Sequence, residues 1–197
     1  MRLLLLALGL LAGNLGWALD ARADDWTISS GSAITLYVDH AMHDVVAVSR
    51  SPRGTLSWSP ASPTDFTQLT GKYIQADWTS FDSDNASRDE NIRTYVNARK
   101  FPTLTLKVTG VRDALQDAQG TVRVTVDALL YCNGQKHAVS APARISQATN
   151  GQVQVYARFE ARMTDFGIEP PSLMFVQAKD AFRVETSLTL LPAAAKP

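Results

Sequence analysis

The chain has 197 residues, 19 basic and 19 acidic side chains, and a 45% share of hydrophobic residues. That is enough for one domain with a substantial core, while the balanced charge and scattered cations give no electrostatic case for nucleic acid. A single cysteine, Cys132, excludes an internal disulfide, so burial alone must hold the fold.

In chain order the first element is a leader. Arg2 precedes a Leu-rich run from Leu3 to Leu19, and Ala21-Arg22-Ala23 has the small-x-small form of a cleavage site. A membrane anchor needs roughly 20 apolar residues, and Asn14 interrupts a run that is already shorter. The sequence therefore predicts a secretory signal over residues 1–23, one folded domain over 24–192 and a frayed tail over 193–197. With Cys132 the only cysteine, no lipid can be attached at the cleavage site. Removing 23 residues of 197, Arg2, Arg22 and Asp20 among them, leaves 174 with 17 basic and 18 acidic side chains. The mature chain has no candidate membrane span.

Strand alternation begins at Ala33, where Ile34, Leu36 and Val38 share a side. Val45 to Val48 is a short apolar run. Leu56 and Trp58 lie on one side of Arg53 to Ser59, and Ile74, Ala76 and Trp78 on one side of Lys72 to Ser80. The alternation then breaks. Asp82, Ser83 and Asp84 can cap a helix starting near Asn85, with Ile92 and Tyr95 or Val96 as a narrow apolar stripe. Pro102 bars helix at Phe101 and restarts extended chain, in which Leu104, Leu106 and Val108 oppose Thr103, Thr105 and Lys107. Val122, Val124 and Val126 form the next face. Asn133-Gly134 and Asn150-Gly151 read as tight hairpin turns. Gln152 to Met163 puts Val153, Val155, Ala157, Phe159, Ala161 and Met163 on one side, and Phe182, Val184, Leu188 and Leu190 do the same in the last strand.

About eight such strands with short connections predict an all-β fold: a closed antiparallel β-barrel with one short helical insertion. A two-sheet sandwich with a solid core, acting as an interaction or accessory protein, is the alternative that alternation leaves open. The inward side chains can interdigitate or line a tunnel, because eight strands enclose just enough space for either.

Four segments together resemble the YceI-like family of periplasmic polyisoprenoid-binding proteins, whose barrel is lipocalin-like. They are Trp26-Thr27-Ile28 with the strand running to His40; Ser80 to Arg93 followed by Lys100-Phe101-Pro102; Leu130-Tyr131-Cys132-Asn133-Gly134-Gln135-Lys136; and Thr164-Asp165-Phe166-Gly167-Ile168. They occur in the family's order and span nearly the whole mature chain. The resemblance implies a hollow barrel in the periplasm that sequesters a long isoprenoid, of quinone or prenyl-phosphate type, or another acyl chain, without covalent chemistry. Leu36, Val38, Trp78, Leu104, Leu106, Val122, Val124, Val126, Val155, Phe159, Phe182, Val184 and Leu188 are then the tunnel-lining candidates. Arg88 and Arg93 on the helix, with Arg50 and Arg53 near the irregular strand, are head-group candidates, since a guanidinium fork suits phosphate or carboxylate.

No cofactor is expected beyond such a lipid, and a homodimer is left open. His40 and His43 form H-x-x-H but lack an evident third ligand, so no metal is expected. There is no Gly-x-Ser-x-Gly, and Asp165-Phe166-Gly167 stands without the other kinase elements, so no catalytic residue is assigned.

Overall fold

The computed structural model describes residues 24–193 apart from positions 60, 149, 150 and 174. The predicted leader, the residues beyond 193 and Asn150 of the second predicted Asn-Gly turn lie outside the described residues. The strand segments are β1 (Asp24–Ile28), β2 (Ala33–Val38), β3 (Val45–Ser49), β4 (Arg53–Trp58), β5 (Tyr73–Asp77), β6 (Phe81–Asp82), β7 (Thr103–Gln116), β8 (Val122–Cys132), β9 (Gln135–Gln147), β10 (Val153–Arg162), β11 (Ser172–Leu173), β12 (Val176–Gln177) and β13 (Ala181–Pro192). One α-helix, α1 (Ala86–Tyr95), lies between β6 and β7.

The first six segments act as three long strands, each broken once. β1 and β2 run end to end along one edge of β13, from Trp26 opposite Pro192 to Val38 opposite Phe182. β4 pairs with β1 and β3 with β2; β5 pairs with β4 and β6 with β3. The first break is held by Ser32, whose hydroxyl donates to the Thr189 carbonyl and accepts from the Thr189 N–H. The second falls at Pro52, which has no N–H for a ladder. The third is the 3₁₀ turn Trp78–Ser80.

Each long strand thus pairs antiparallel with the next in sequence, through β7, β8, β9 and β10 to β13, and β13 returns to β1. The result is a closed eight-stranded antiparallel up-and-down barrel. Closure leaves no edge in the main circuit for another chain to extend. The sandwich alternative falls with it.

Inward positions follow the predicted alternation and form two apolar clusters. One, around Leu104, Leu130 and Phe166, lies toward the helix. The other, around Trp26, Trp58, Val122 and Leu188, fills the far end. Three short motifs converge at the helix end. Asn133 and Gly134 adopt φ values of 48° and 74°, the primed-turn geometry an Asn-Gly hairpin favours. Asn133 Nδ2 donates to the Phe166 carbonyl at 3.0 Å, and a Cβ on Gly134 would stand 2.3 Å from Phe101 Cζ. Beside them the Trp78 N–H donates to the Pro102 carbonyl at 2.9 Å.

Helix α1 starts one residue later than the sequence suggests, and its cap is Asn85, whose Oδ1 accepts from the Arg88 N–H at 3.0 Å. Ser83 closes the same turn from outside, donating its N–H and hydroxyl to Asp89 Oδ1. Ile92 packs on the barrel cluster and Val96 is buried, while Tyr95 is partly exposed at the edge of the cavity beneath the helix.

Candidate ligand-binding site

Among the described residues, two cavities lie inside the barrel. The larger, about 370 Å³, opens between α1, the loop at 39–44 and the segment at 168–178. Its floor and walls are Leu36, Val38, Val45, Ala47, Trp78, Ile92, Val96, Cys132, Met163, Ile168 and Phe182, and its rim carries Asn85, Ser87, Arg88, Asn91, His40 and His43. The smaller, about 80 Å³, lies deeper between Leu56, Trp58, Leu106, Val126, Val155, Phe159 and Leu188.

A layer of side chains separates them. Along β8, Cys132 faces the first cavity and Ala128 the second, with Leu130 lining neither. The same step recurs on β13, where Val184 stands between Phe182 and Thr186; on β2, Leu36 lines the first cavity and Ile34, two positions further in, lines neither. Leu104 and Ala76 complete the layer, and all five are at most 1% exposed. The interior is therefore neither solid nor one continuous tunnel.

The tunnel-lining candidates divide accordingly. Leu36, Val38, Trp78 and Phe182 line the mouth cavity; Leu106, Val126, Val155, Phe159 and Leu188 line the inner one. Leu104 and Val184 belong to the separating layer, and Val122 and Val124 pack in the far cluster and line neither cavity. The four arginines part company too. Arg88 stands at the mouth, its Nε on the Ser83 hydroxyl at 2.9 Å and its Nη2 on the Ser83 carbonyl at 2.6 Å. Arg93 pairs with Glu90 at 2.9 Å, and Arg53 forms a bidentate pair with Asp77 at 2.8 Å. Arg50 is exposed in the bend between β3 and β4, and none of these three lines either cavity.

Sequence reasoning missed the rest of the mouth. Ala47 and Met163 follow from strand alternation once closure is known, while Ile168 comes from irregular chain after the 3₁₀ turn Thr164–Phe166. Pro171, Ser172 and Ala178 come from the piece between Glu169 and Asp180, which holds only the two-residue strands β11 and β12 and no long alternation to read. Two wall residues have telling chemistry. Cys132 is the cavity's thiol, and burial pushes its pKa up to about 12, away from the thiolate a nucleophile needs. Trp78 is buried, and its indole N–H has no acceptor among the described residues. At the rim, the His40 ring is fully bonded: Nε2 donates to the Val176 carbonyl at 3.0 Å and Nδ1 accepts from the Met42 N–H at 3.1 Å. No group of three or more His, Cys, Asp or Glu placed to hold a metal ion occurs among the described residues.

Residues 26–190 match the family model of the YceI-like domain. Among solved structures the fold is similar to BcnA of Burkholderia cenocepacia, at 13% identity and a TM-score of 0.68, covering 82% of this chain and 98% of that one. It is equally similar, at 12% identity and a TM-score of 0.68, to a polyisoprenoid-binding domain of Saccharophagus degradans, covering 87% of this chain and 99% of that one. The YceI protein of Campylobacter jejuni aligns at 14% identity and a TM-score of 0.53, over 71% of this chain and 80% of that one. No curated protein matches the sequence.

Proposed function

The chain belongs to the YceI-like domain family, and on that premise we propose that it is a periplasmic carrier of one long apolar molecule, isoprenoid or acyl. The tail lies in the mouth cavity and the head sits at the rim beside Arg88. The carrying observation is that cavity: about 370 Å³ walled almost wholly by apolar side chains and opening through a ring of Asn, Ser, Arg and His. Such a shape, a dry pocket with a few polar groups at one end, suits an amphipathic ligand.

Transfer from water supplies the affinity. Each methylene removed is worth roughly 0.8 kcal/mol, so a dozen contribute about 10 kcal/mol. That is comparable to the roughly 4–15 kcal/mol that association costs. The name of the Saccharophagus neighbour supports a prenyl chain as cargo. The raised Cys132 pKa speaks against thiol catalysis on the bound chain. The leader at 1–23 and the family support the periplasm, and among the described residues no helix is long and apolar enough to cross a membrane.

Organic extraction of protein purified from its producing cells, followed by mass spectrometry, is expected to recover a chain-bearing lipid. Recovery of none, together with no saturable uptake of prenyl or fatty chains, refutes the proposal. N-terminal sequencing of the same sample is expected to begin near Asp24.

A further inference from the structure

Large apolar side chains face water around the mouth. In the loop at 39–44, Met42 is 52% exposed; in the β11–β12 hairpin, Val176 is 38% exposed and Phe175 fully so. Phe175 stands in the two-residue connection between Leu173 and Val176, at φ 69°. That is left-handed backbone, where such turns take Gly, Asn or Asp and a bulky aromatic is an outlier. Neither turn chemistry nor packing explains Phe at this place. Residues that break a local rule without a structural gain concentrate where function requires them.

The two tips are tied together. Beyond the His40 bond to Val176, the Lys179 N–H donates to the Asp39 carbonyl at 3.0 Å and its ammonium pairs with the Asp39 carboxylate at 2.9 Å. Met42 and Phe175 are thereby held on one rim, and the same loops supply His40, Pro171 and Ser172 to the cavity wall. The loops that carry the apolar tips are thus the ones that frame the cavity mouth.

We propose that this rim is a bilayer-docking surface. Met42, Phe175 and Val176 enter the head-group boundary of a membrane, so that cargo passes between the lipid phase and the barrel without crossing water. The inference rests on the carrier reading above. Charge selects the kind of bilayer. The segments 39–44 and 169–180 carry Asp39, Asp44, Glu169 and Asp180 against Lys179 alone. A surface that attracts anionic lipids needs clustered cations, so the contact is apolar and the head groups it meets are net-neutral.

Flotation of the chain from Asp24 onward with phosphatidylcholine vesicles tests this, since that piece holds every barrel strand. Phe175→Asn is the decisive variant, because Asn suits left-handed backbone and loses only the apolar tip. Its thermal midpoint is expected to hold or rise while vesicle partitioning falls about tenfold, with a further fall on adding Met42→Ser. Phosphatidylglycerol in the vesicles is expected not to tighten binding. Equal partitioning of Phe175→Asn and wild type, or binding that grows with anionic lipid and vanishes in salt, overturns the proposal. Uptake of a prenol delivered from dilute ethanol separates the two readings. Normal uptake with no flotation sinks docking and leaves carriage standing; no uptake from either source, with flotation lost in the variant, sinks carriage and leaves docking.

Discussion

Leu130→Ala tests the two-chamber interior directly. Leu130 is wholly buried in the layer between the cavities, opposite Leu106 on β7 and His137 on β9. Truncating a fully buried leucine costs about 3 kcal/mol, part of it lost transfer energy and part the void left behind. With a urea slope of about 2 kcal/mol per molar, the unfolding midpoint falls by about 1.5 M. The void has a second consequence: it lies between spaces of about 370 and 80 Å³ and joins them. In the wild type, each added methylene should tighten binding about fourfold until the mouth cavity is full, and then stop. In Leu130→Ala the gain should continue to longer chains. The assay is competitive binding of a homologous series of alkyl or prenyl chains, with urea unfolding in parallel. An identical length profile in both proteins refutes the reasoning. So does a wild-type series that never levels off, because the layer would then yield to the ligand unaided.

Other outcomes follow from single residues. Cys132, the chain's one thiol, has its pKa pushed from 9.0 to about 12 by burial, so iodoacetamide should modify it roughly a thousandfold more slowly than free cysteine near pH 8, and more slowly still with cargo bound. The folded state keeps that proton longer than the unfolded one, so stability should decline from about pH 9 toward pH 12, and Cys132→Ala should flatten urea midpoints measured across that range. Gly134→Ala forces a Cβ to within 2.3 Å of the Phe101 ring at a φ of 74°; strain and displacement together should lower the melting temperature by on the order of 10 °C, and an unchanged value means the ring is free to move. Trp78→Phe removes the unpaired indole donor; chains bearing an oxygen near the head should lose about tenfold in affinity and plain hydrocarbons none, while equal losses assign Trp78 to packing alone.

Much of the fold was legible because its signals are local. Alternation over Val153 to Met163 and over Phe182 to Leu190 reports which side of each strand is dry, and both faces point inward as read. Asn133-Gly134 states its own turn geometry. The candidate site was legible only in part. Arg53 is paired with Asp77, which lies 24 positions away and which no local pattern connects to it. Arg88 and Arg93 sit on one helix, yet Ser83 turns the first to the mouth and Glu90 holds the second. Phe175 could be recognised as a turn violation only once β11 and β12 were seen to pair.

From residues alone came the dry and wet faces of each strand, the helical interruption near Asn85 and the exclusion of an internal disulfide, all consequences of spacing and composition. Tertiary structure decided that β13 returns to β1, that Leu130, Val184 and Ile34 join one buried cluster, and that the space inside the barrel falls into two parts. Whether inward side chains touch or leave room is a matter of distance across the barrel. That distance is set by closure of strands far apart in the chain, which no local pattern encodes.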